Sequence, residues 1–388
     1  MVQAKRLFAM LAIAGVMLCL AAACGQSAMG GGGGGYGGGG GGMGGGGMTK
    51  EHLGKMIYCD TNLSTPAGQS CQSCHHPTAG YADPDDWLPV SAGVVAGRYG
   101  NRNSPVSAYQ ATAPDFHFDE ARGEFVGGQF WDGRALDLVE QAKGPFLNPL
   151  EMNNPSRAAV VSKVAAARYA SAFRSIYGQN VFRNVDSAYN CIADALATYE
   201  RSPELNRYNS KYDQYLAGTA ALSAQELRGL GLFEGAAGCS ACHAPPVFTN
   251  FTYHNVGLPR NPDNPFYYLP SQFNPLGGNW IDYGLGGITG RELDLGKFKV
   301  PTLRNCAETS PFMHNGLFET LDDVVAFLST RDTPGLWLPP EVEANLDDSL
   351  GNLGLSDQDQ ADIVAFLLTL SDAGSGGGGC GGGGRMGG

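Results

Sequence analysis

Two pentapeptides could carry the chemistry of this 388-residue chain: Cys71-Gln72-Ser73-Cys74-His75 and Cys239-Ser240-Ala241-Cys242-His243. In each, two residues separate a pair of cysteines and a histidine follows directly. That spacing suits covalent attachment of haem. The thiols add to the two vinyl groups, and the histidine is carried beneath the ring to ligate iron. A zinc site or a thiol–disulfide redox pair would use the cysteines but leaves the adjacent histidine, present twice, without a reason. Two covalently bound haem c groups are therefore expected, one on Cys71, Cys74 and His75 and one on Cys239, Cys242 and His243.

The elements around the motifs repeat as well. Glu51-His52-Leu53-Gly54-Lys55-Met56-Ile57 precedes the first, and Glu226-Leu227-Arg228-Gly229-Leu230-Gly231-Leu232-Phe233 precedes the second. Both read as short amphipathic helices feeding a loop, and Ser223 with Glu226 forms a capping box at the start of the second. Further helices are expected at about 186–201, 321–330 and 357–370. The last has Ser356 and Asp359 as its capping pair and an apolar face of Ile363, Val364, Phe366, Leu367 and Leu370. Helix, haem motif, loops and closing helix is the order of a cytochrome c domain. The expected fold is thus mainly α, with two tandem cytochrome c-like haem domains and long loops, at residues 49–205 and 206–373. Gly284-Leu285-Gly286-Gly287-Ile288-Thr289-Gly290 lacks a β-α-β setting and reads as a loop near the second haem.

Lys5 and Arg6 followed by an apolar run from Leu7 to Ala23 have the form of an export signal, residues 1–23. Ala21-Ala22-Ala23-Cys24-Gly25 is compatible both with plain cleavage after Ala23 and with lipidation of Cys24, which would tether the protein to a membrane. A periplasmic location is expected, where haem c is also assembled. Sixteen of the 58 glycines lie between Gly30 and Gly47 and 11 between Gly374 and Gly388. Residues 24–48, almost all glycine, read as a flexible linker, and 374–388, around Cys380 with no apolar cluster to bury, as a disordered tail. The net charge of −12 argues against a nucleic-acid partner. Export permits disulfides, but Cys59, Cys191, Cys306 and Cys380 allow three pairings and the sequence does not choose.

The chain resembles the bacterial dihaem cytochrome c peroxidases, including their MauG-like members, from about Glu51 to Leu370. The likeness runs through ordered blocks: both haem motifs, Arg102-Asn103-Ser104-Pro105, Phe130-Trp131-Asp132-Gly133-Arg134, Gln141-Ala142, Pro149-Leu150-Glu151-Met152, Lys297-Phe298-Lys299-Val300-Pro301-Thr302-Leu303-Arg304-Asn305, and Thr309-Ser310-Pro311-Phe312-Met313-His314-Asn315-Gly316. The resemblance implies that the N-terminal haem is the peroxide site and the C-terminal haem stores electrons. It implies Glu151 as distal acid/base, Gln141 as its hydrogen-bonding neighbour and Trp131 as relay between the haems. It further implies one calcium ion held by Asn103 and by the carbonyls of Thr309 and Pro311, and a homodimer. A carboxylate is chemically suited to moving a proton from the inner to the outer oxygen of peroxide.

Two departures from the family pattern stand out. Where many of these peroxidases carry a histidine that blocks the peroxide iron, this chain has Ser91-Ala92-Gly93-Val94, and Val94 offers no ligand. The N-terminal haem is expected to be five-coordinate and open, as in MauG-like members. The position that supplies methionine or tyrosine to the C-terminal haem falls on Leu328, which has no donor atom. His314 is expected near a haem without ligating it, His254 is expected to be a satisfied core residue, and His76 is expected to face solvent. The expected activity is reduction of hydrogen peroxide to water with electrons from a small cytochrome c or cupredoxin. The alternatives are a MauG-like oxidase of tyrosine or tryptophan side chains in a partner protein, and a dihaem electron carrier without peroxide turnover.

Overall fold

The structure, a computed structural model, describes residues 48–85, 87–374 and Cys380. The expected signal, Cys24 and nearly all of the glycine linker and tail lie outside these residues. The helices are α1 (Lys50–Tyr58), α2 (Cys71–Cys74), α3 (Leu138–Leu147), α4 (Arg157–Ala166), α5 (Ala170–Tyr177), α6 (Val185–Glu200), α7 (Lys211–Leu216), α8 (Ala224–Glu234), α9 (Leu285–Thr289), α10 (Leu321–Thr330) and α11 (Asp357–Leu367). The described residues also contain short 3₁₀ turns and two small antiparallel strand pairs. β1 (His117–Asp119) pairs with β2 (Glu124–Val126), and β3 (Tyr253–His254) with β4 (Phe298–Lys299), Tyr253 lying opposite Lys299.

Helix starts follow local chemistry. Thr49 accepts the amide of His52 at the start of α1, and Ser223/Glu226 and Ser356/Asp359 form the expected capping boxes of α8 and α11. Each cap satisfies amides that have no partner within the helix. Helix α6 lies one residue earlier than expected, and α11 continues as a 3₁₀ turn over Leu368–Leu370. The segment expected to be a loop at 284–290 instead contains α9, bracketed by Gly284 and Gly290 with positive φ.

The repeat seen in the sequence is also a repeat of packing. Gly54 of α1 lies against the main chain of Ala195 in α6, and Gly229 of α8 lies against the main chain of Asp362 in α11. A side chain at either position would collide with backbone, so glycine lets each motif-bearing helix cross its closing helix closely. Around the first crossing sits an apolar cluster with Leu53, Ile57, Phe146, Val160, Phe173, Ile192 and Leu196. Around the second sits one with Tyr212, Phe233, Phe248, Ile363, Phe366 and Leu370. Leu328, on α10, packs with Leu258, Phe318, Phe327 and Trp337 in a smaller apolar cluster.

The halves interlock. Val247 and Phe251 enter the first cluster, and the amide of Asn103 donates to the carbonyl of His314 at 2.8 Å. Arg102 donates to Asp132 (2.6 Å) and, through two nitrogens, to Asp282 (2.6 and 2.7 Å). Both carboxylates are buried and the arginine is largely so, so each charge depends on the others for its solvation. Cys59, at the end of α1, forms a disulfide with Cys380. The tail expected to be disordered is therefore anchored at that residue, whose amide also donates to Gln72 of the first haem motif at 3.1 Å.

Candidate active site

Helix α2 presents Cys71 and Cys74 on a single turn, and His75 caps it. Ring nitrogen Nδ1 of His75 faces the carbonyl of Tyr81 at 3.3 Å and the hydroxyl of Ser104 at 3.4 Å. In the second motif Nδ1 of His243 faces the carbonyl of Phe248 at 3.0 Å. A carbonyl at Nδ1 selects the tautomer in which Nε2 has the free lone pair, as an iron ligand requires. Burial lowers the pKa of both imidazoles, that of His243 to about 4, so both are neutral and able to ligate. Cys71, Cys74, Cys239 and Cys242 are all free of disulfides. Thiols, neutral histidine and enforced tautomer fit two c-type haems.

Glu151 lies in the turn after α3. That helix is capped by Asn148, whose side-chain amide donates to Glu151 Oε1 at 2.7 Å. Burial pushes the Glu151 carboxyl above its usual range, while the positive charge of Arg134 and the Asn148 hydrogen bond pull it back. Arg134 is itself fixed, ion-paired to Asp132 and with its guanidinium 3.6 Å from the centre of the Phe130 ring. The stretch from Ser91 to Val94 runs directly past this turn. Gly93 packs on the Leu150 carbonyl, and the Val94 amide donates to the Glu151 carbonyl at 2.9 Å.

The hydrogen bond to Glu151 expected from Gln141 is thus made by Asn148. Gln141 belongs to α3 but stands about 9 Å along the axis from its C-terminal end, whereas Asn148 is one turn from Glu151. Asn148 and Arg134 were not singled out by the sequence, although an asparagine three residues before the glutamate in a proline turn is a local signal for such a bond.

Trp131 donates its indole N–H to the carbonyl of Asn103 at 2.9 Å, next to Ser104 beside His75. Its own carbonyl accepts from the amide of Lys299 at 2.8 Å. Lys299 belongs to β4, which pairs with β3 and so with His254. Trp131 is therefore tied to segments that lead to both haem motifs. His314 stacks on Phe298 with ring centres 3.5 Å apart and lies 6.4 Å from Trp131; burial lowers its pKa to about 3. His254, expected as a satisfied core residue, is partly buried and has partners at both ring nitrogens. It pairs with Asp347 at 2.6 Å, which raises its pKa to about 10, and its other nitrogen lies 3.7 Å from Cys242 Sγ. His76, partly exposed, bonds Thr78 Oγ1 at 2.6 Å.

Of the expected calcium ligands, Asn103 and Pro311 come together, the Asn103 amide donating to the Pro311 carbonyl at 2.6 Å. They border a cavity of about 10 Å³ with Asp83, Asp85 and Ser91 among its other walls; Thr309 is not part of that wall. Among the described residues no group of three histidine, cysteine, aspartate or glutamate side chains is placed to hold a metal.

The family model for di-haem cytochrome c peroxidase matches residues 48–221. The chain is 37% identical over 347 residues to the methylamine utilization protein MauG of Paracoccus denitrificans, covering 82% of this chain and 88% of that one. It is 32% identical over 275 residues to the cytochrome c551 peroxidase of Nitrosomonas europaea, covering 70% of each. Among solved structures, the diheme peroxidase BthA from Burkholderia thailandensis superposes with a TM-score of 0.73 at 32% identity, over 84% of this chain and 86% of that one. With its two haem motifs, the buried Glu151 turn and these relationships, the chain belongs to the di-haem cytochrome c peroxidase family.

Proposed function

We propose that this protein reduces hydrogen peroxide to two waters at its His75 side, with electrons drawn from a small cytochrome c or cupredoxin. When bound, the haems supply iron for peroxide and a store of electrons. The observation that carries the reading is Glu151: a buried carboxylate, raised in pKa and oriented by Asn148, in a family whose chemistry is peroxide reduction. Glu151 takes a proton from one peroxide oxygen and returns it to the other, so that the oxygen that departs does so as water. Asn148 fixes its direction, and Arg134 keeps enough of the carboxyl ionised to act as acceptor. Gln141, on the same helix, positions the bound oxygens. Trp131 passes electrons between the two halves, which we read as haem domains over 49–205 and 206–373.

The absence of a histidine at Val94 favours a second reading, in which a partner protein's tyrosine or tryptophan replaces the small electron donor. The identity with MauG supports the same alternative. The calcium reading rests on the Asn103–Pro311 contact and the small cavity beside it; a cation there would require the Asn103 amide to turn its oxygen inward. The N-terminal pattern supports export to the periplasm, with a lipid on Cys24 as one form of tether. Among the described residues no helix is long and apolar enough to cross a membrane.

The test is consumption of a reduced cytochrome c with peroxide by the native protein and by Glu151→Gln, alongside mass spectrometry of periplasmic proteins treated with both. Loss of turnover in the variant with no modified partner supports the peroxidase reading. A mass change in one partner protein, with no cytochrome consumed, supports the second. Equal turnover in the variant removes Glu151 from the chemistry.

A further inference from the structure

Tyr109 and Tyr208 form a tyrosine pair that the peroxide chemistry above does not use. The phenol of Tyr109, fully buried, donates to the carboxylate of Asp372 at 2.6 Å. Tyr208 packs edge-on against it with ring centres 5.0 Å apart, and the Tyr208 amide donates to the Tyr109 oxygen at 3.0 Å. Tyr208 is 37% exposed, so the pair runs from the interior to solvent.

Contacts lead to this pair from both histidine ligands. Tyr58 donates to the carbonyl of His75 at 2.9 Å and bonds Ser107 Oγ at 2.9 Å, and Ser107 is two residues before Tyr109. On the other side, the carbonyl of Phe248 meets His243, and the Phe248 ring lies 5.3 Å from the Arg304 guanidinium. That guanidinium also lies 5.5 Å from the Tyr109 ring and 5.0 Å from the Tyr208 ring.

A phenol gives up an electron readily only if its proton has somewhere to go. Tyr58, although nearest His75, faces a carbonyl and a hydroxyl, neither of which is a base near neutral pH. Tyr109 faces a carboxylate through a short charge-assisted hydrogen bond. Tyr169 with Asp60 and Tyr177 with Asp194 are also phenol–carboxylate pairs, both at 2.7 Å. Tyr199 bonds Glu204 and has the Tyr58 ring against it, but both of those rings are buried, whereas Tyr208 opens the Tyr109 pair to solvent.

We propose that Tyr109 is a one-electron oxidation site, with Asp372 as its proton acceptor and Tyr208 as its outlet to the surface. It conducts oxidising equivalents away from the haem ligands. Reduction of hydrogen peroxide to two waters consumes two electrons and two protons. One electron comes from Tyr109: its O–H bond breaks, the proton passes to the Asp372 carboxylate, and a neutral tyrosyl radical remains. The other electron would come from the haems when bound, the two protons consumed come from solvent, and external reductant restores both electrons. An electron entering through Tyr208 from an external reductant restores Tyr109, and Asp372 returns the proton.

This inference rests on the peroxidase reading. The experiment mixes the diferric holoprotein with hydrogen peroxide without a donor. It reads the Soret band by stopped flow and organic radicals by freeze-quench electron paramagnetic resonance, in native protein and in Tyr109→Phe, Asp372→Asn and Tyr169→Phe. The expected result is that all four react, each showing a Soret change. A tyrosyl signal should appear in native protein and Tyr169→Phe and be lost in Tyr109→Phe and Asp372→Asn. Asp372→Asn keeps the size of the side chain and guards against a packing defect in the phenylalanine variant. A normal Soret change with no tyrosyl radical in native protein overturns the proposal, as does an undiminished signal in Tyr109→Phe or its loss in Tyr169→Phe. No Soret change in native protein overturns the peroxide chemistry at the His75 side and this proposal with it.

Discussion

The main-chain amide of Val94 donates to the main-chain carbonyl of Glu151 at 2.9 Å. This bond places a side chain unable to bind iron beside the carboxylate proposed to handle peroxide protons. Gly93, packed on the Leu150 carbonyl, makes the approach close enough for that bond. In this account the same local pairing keeps the site open and sets the proton-transfer group within it.

Placing a histidine in this stretch should close the site. In Val94→His the imidazole is expected to take the open iron position, giving a low-spin ferric spectrum for the N-terminal haem. Peroxide reactivity should then appear only after partial reduction of the protein. Electron paramagnetic resonance of the ferric variant checks this, and a persistent high-spin signal would place residue 94 away from the iron.

The ionisation of Glu151 should appear in the pH profile of the peroxide reaction. Burial raises its pKa, and the ionised form is the proton acceptor, so the rate should fall as pH drops through that raised value. Glu151→Gln should lose this acid limb and react about 100-fold or more slowly. Arg134→Gln removes the charge that lowers the Glu151 pKa, so its acid limb should move to higher pH. An unmoved limb would show that another group sets the profile.

Arg102 should matter to stability more than a surface arginine does. It is largely buried between Asp132 and Asp282, and removing it leaves two buried carboxylates without their shared cation. Arg102→Ala is expected to cost about 3–5 kcal/mol in chemical denaturation of the holoprotein. A loss below about 1 kcal/mol, the range of exposed pairs, would contradict the buried network.

Non-reducing peptide mapping should find Cys59 joined to Cys380. Alkylation of Cys59 in the unreduced protein would contradict that pairing.

Local features were well encoded in the sequence. The capping boxes at Ser223 and Ser356, the haem-attachment turns and the helix at 321–330 each depend on residues a few positions apart, where propensity and side-chain reach decide the outcome. The shared glycine at 54 and 229 was visible as a repeat, but its reason appeared only with α6 and α11 crossing above it. What was not legible depends on distant partners. Asp282 is 180 residues from Arg102, Cys380 is 321 residues from Cys59, and Asp347 holds a histidine 93 residues away that read as an ordinary core residue. The Asn148–Glu151 bond is local, yet it was hidden by the family expectation for Gln141.

The central claim is that peroxide reaches the His75 side of the resting protein and reacts there without prior reduction. Stopped-flow absorbance of the diferric protein mixed with one equivalent of hydrogen peroxide tests it most directly. A rapid bleach and shift of the Soret band is the result this account requires. An unchanged spectrum in diferric protein, with reactivity gained only on half-reduction, would mean that a ligand blocks the site and would contradict it.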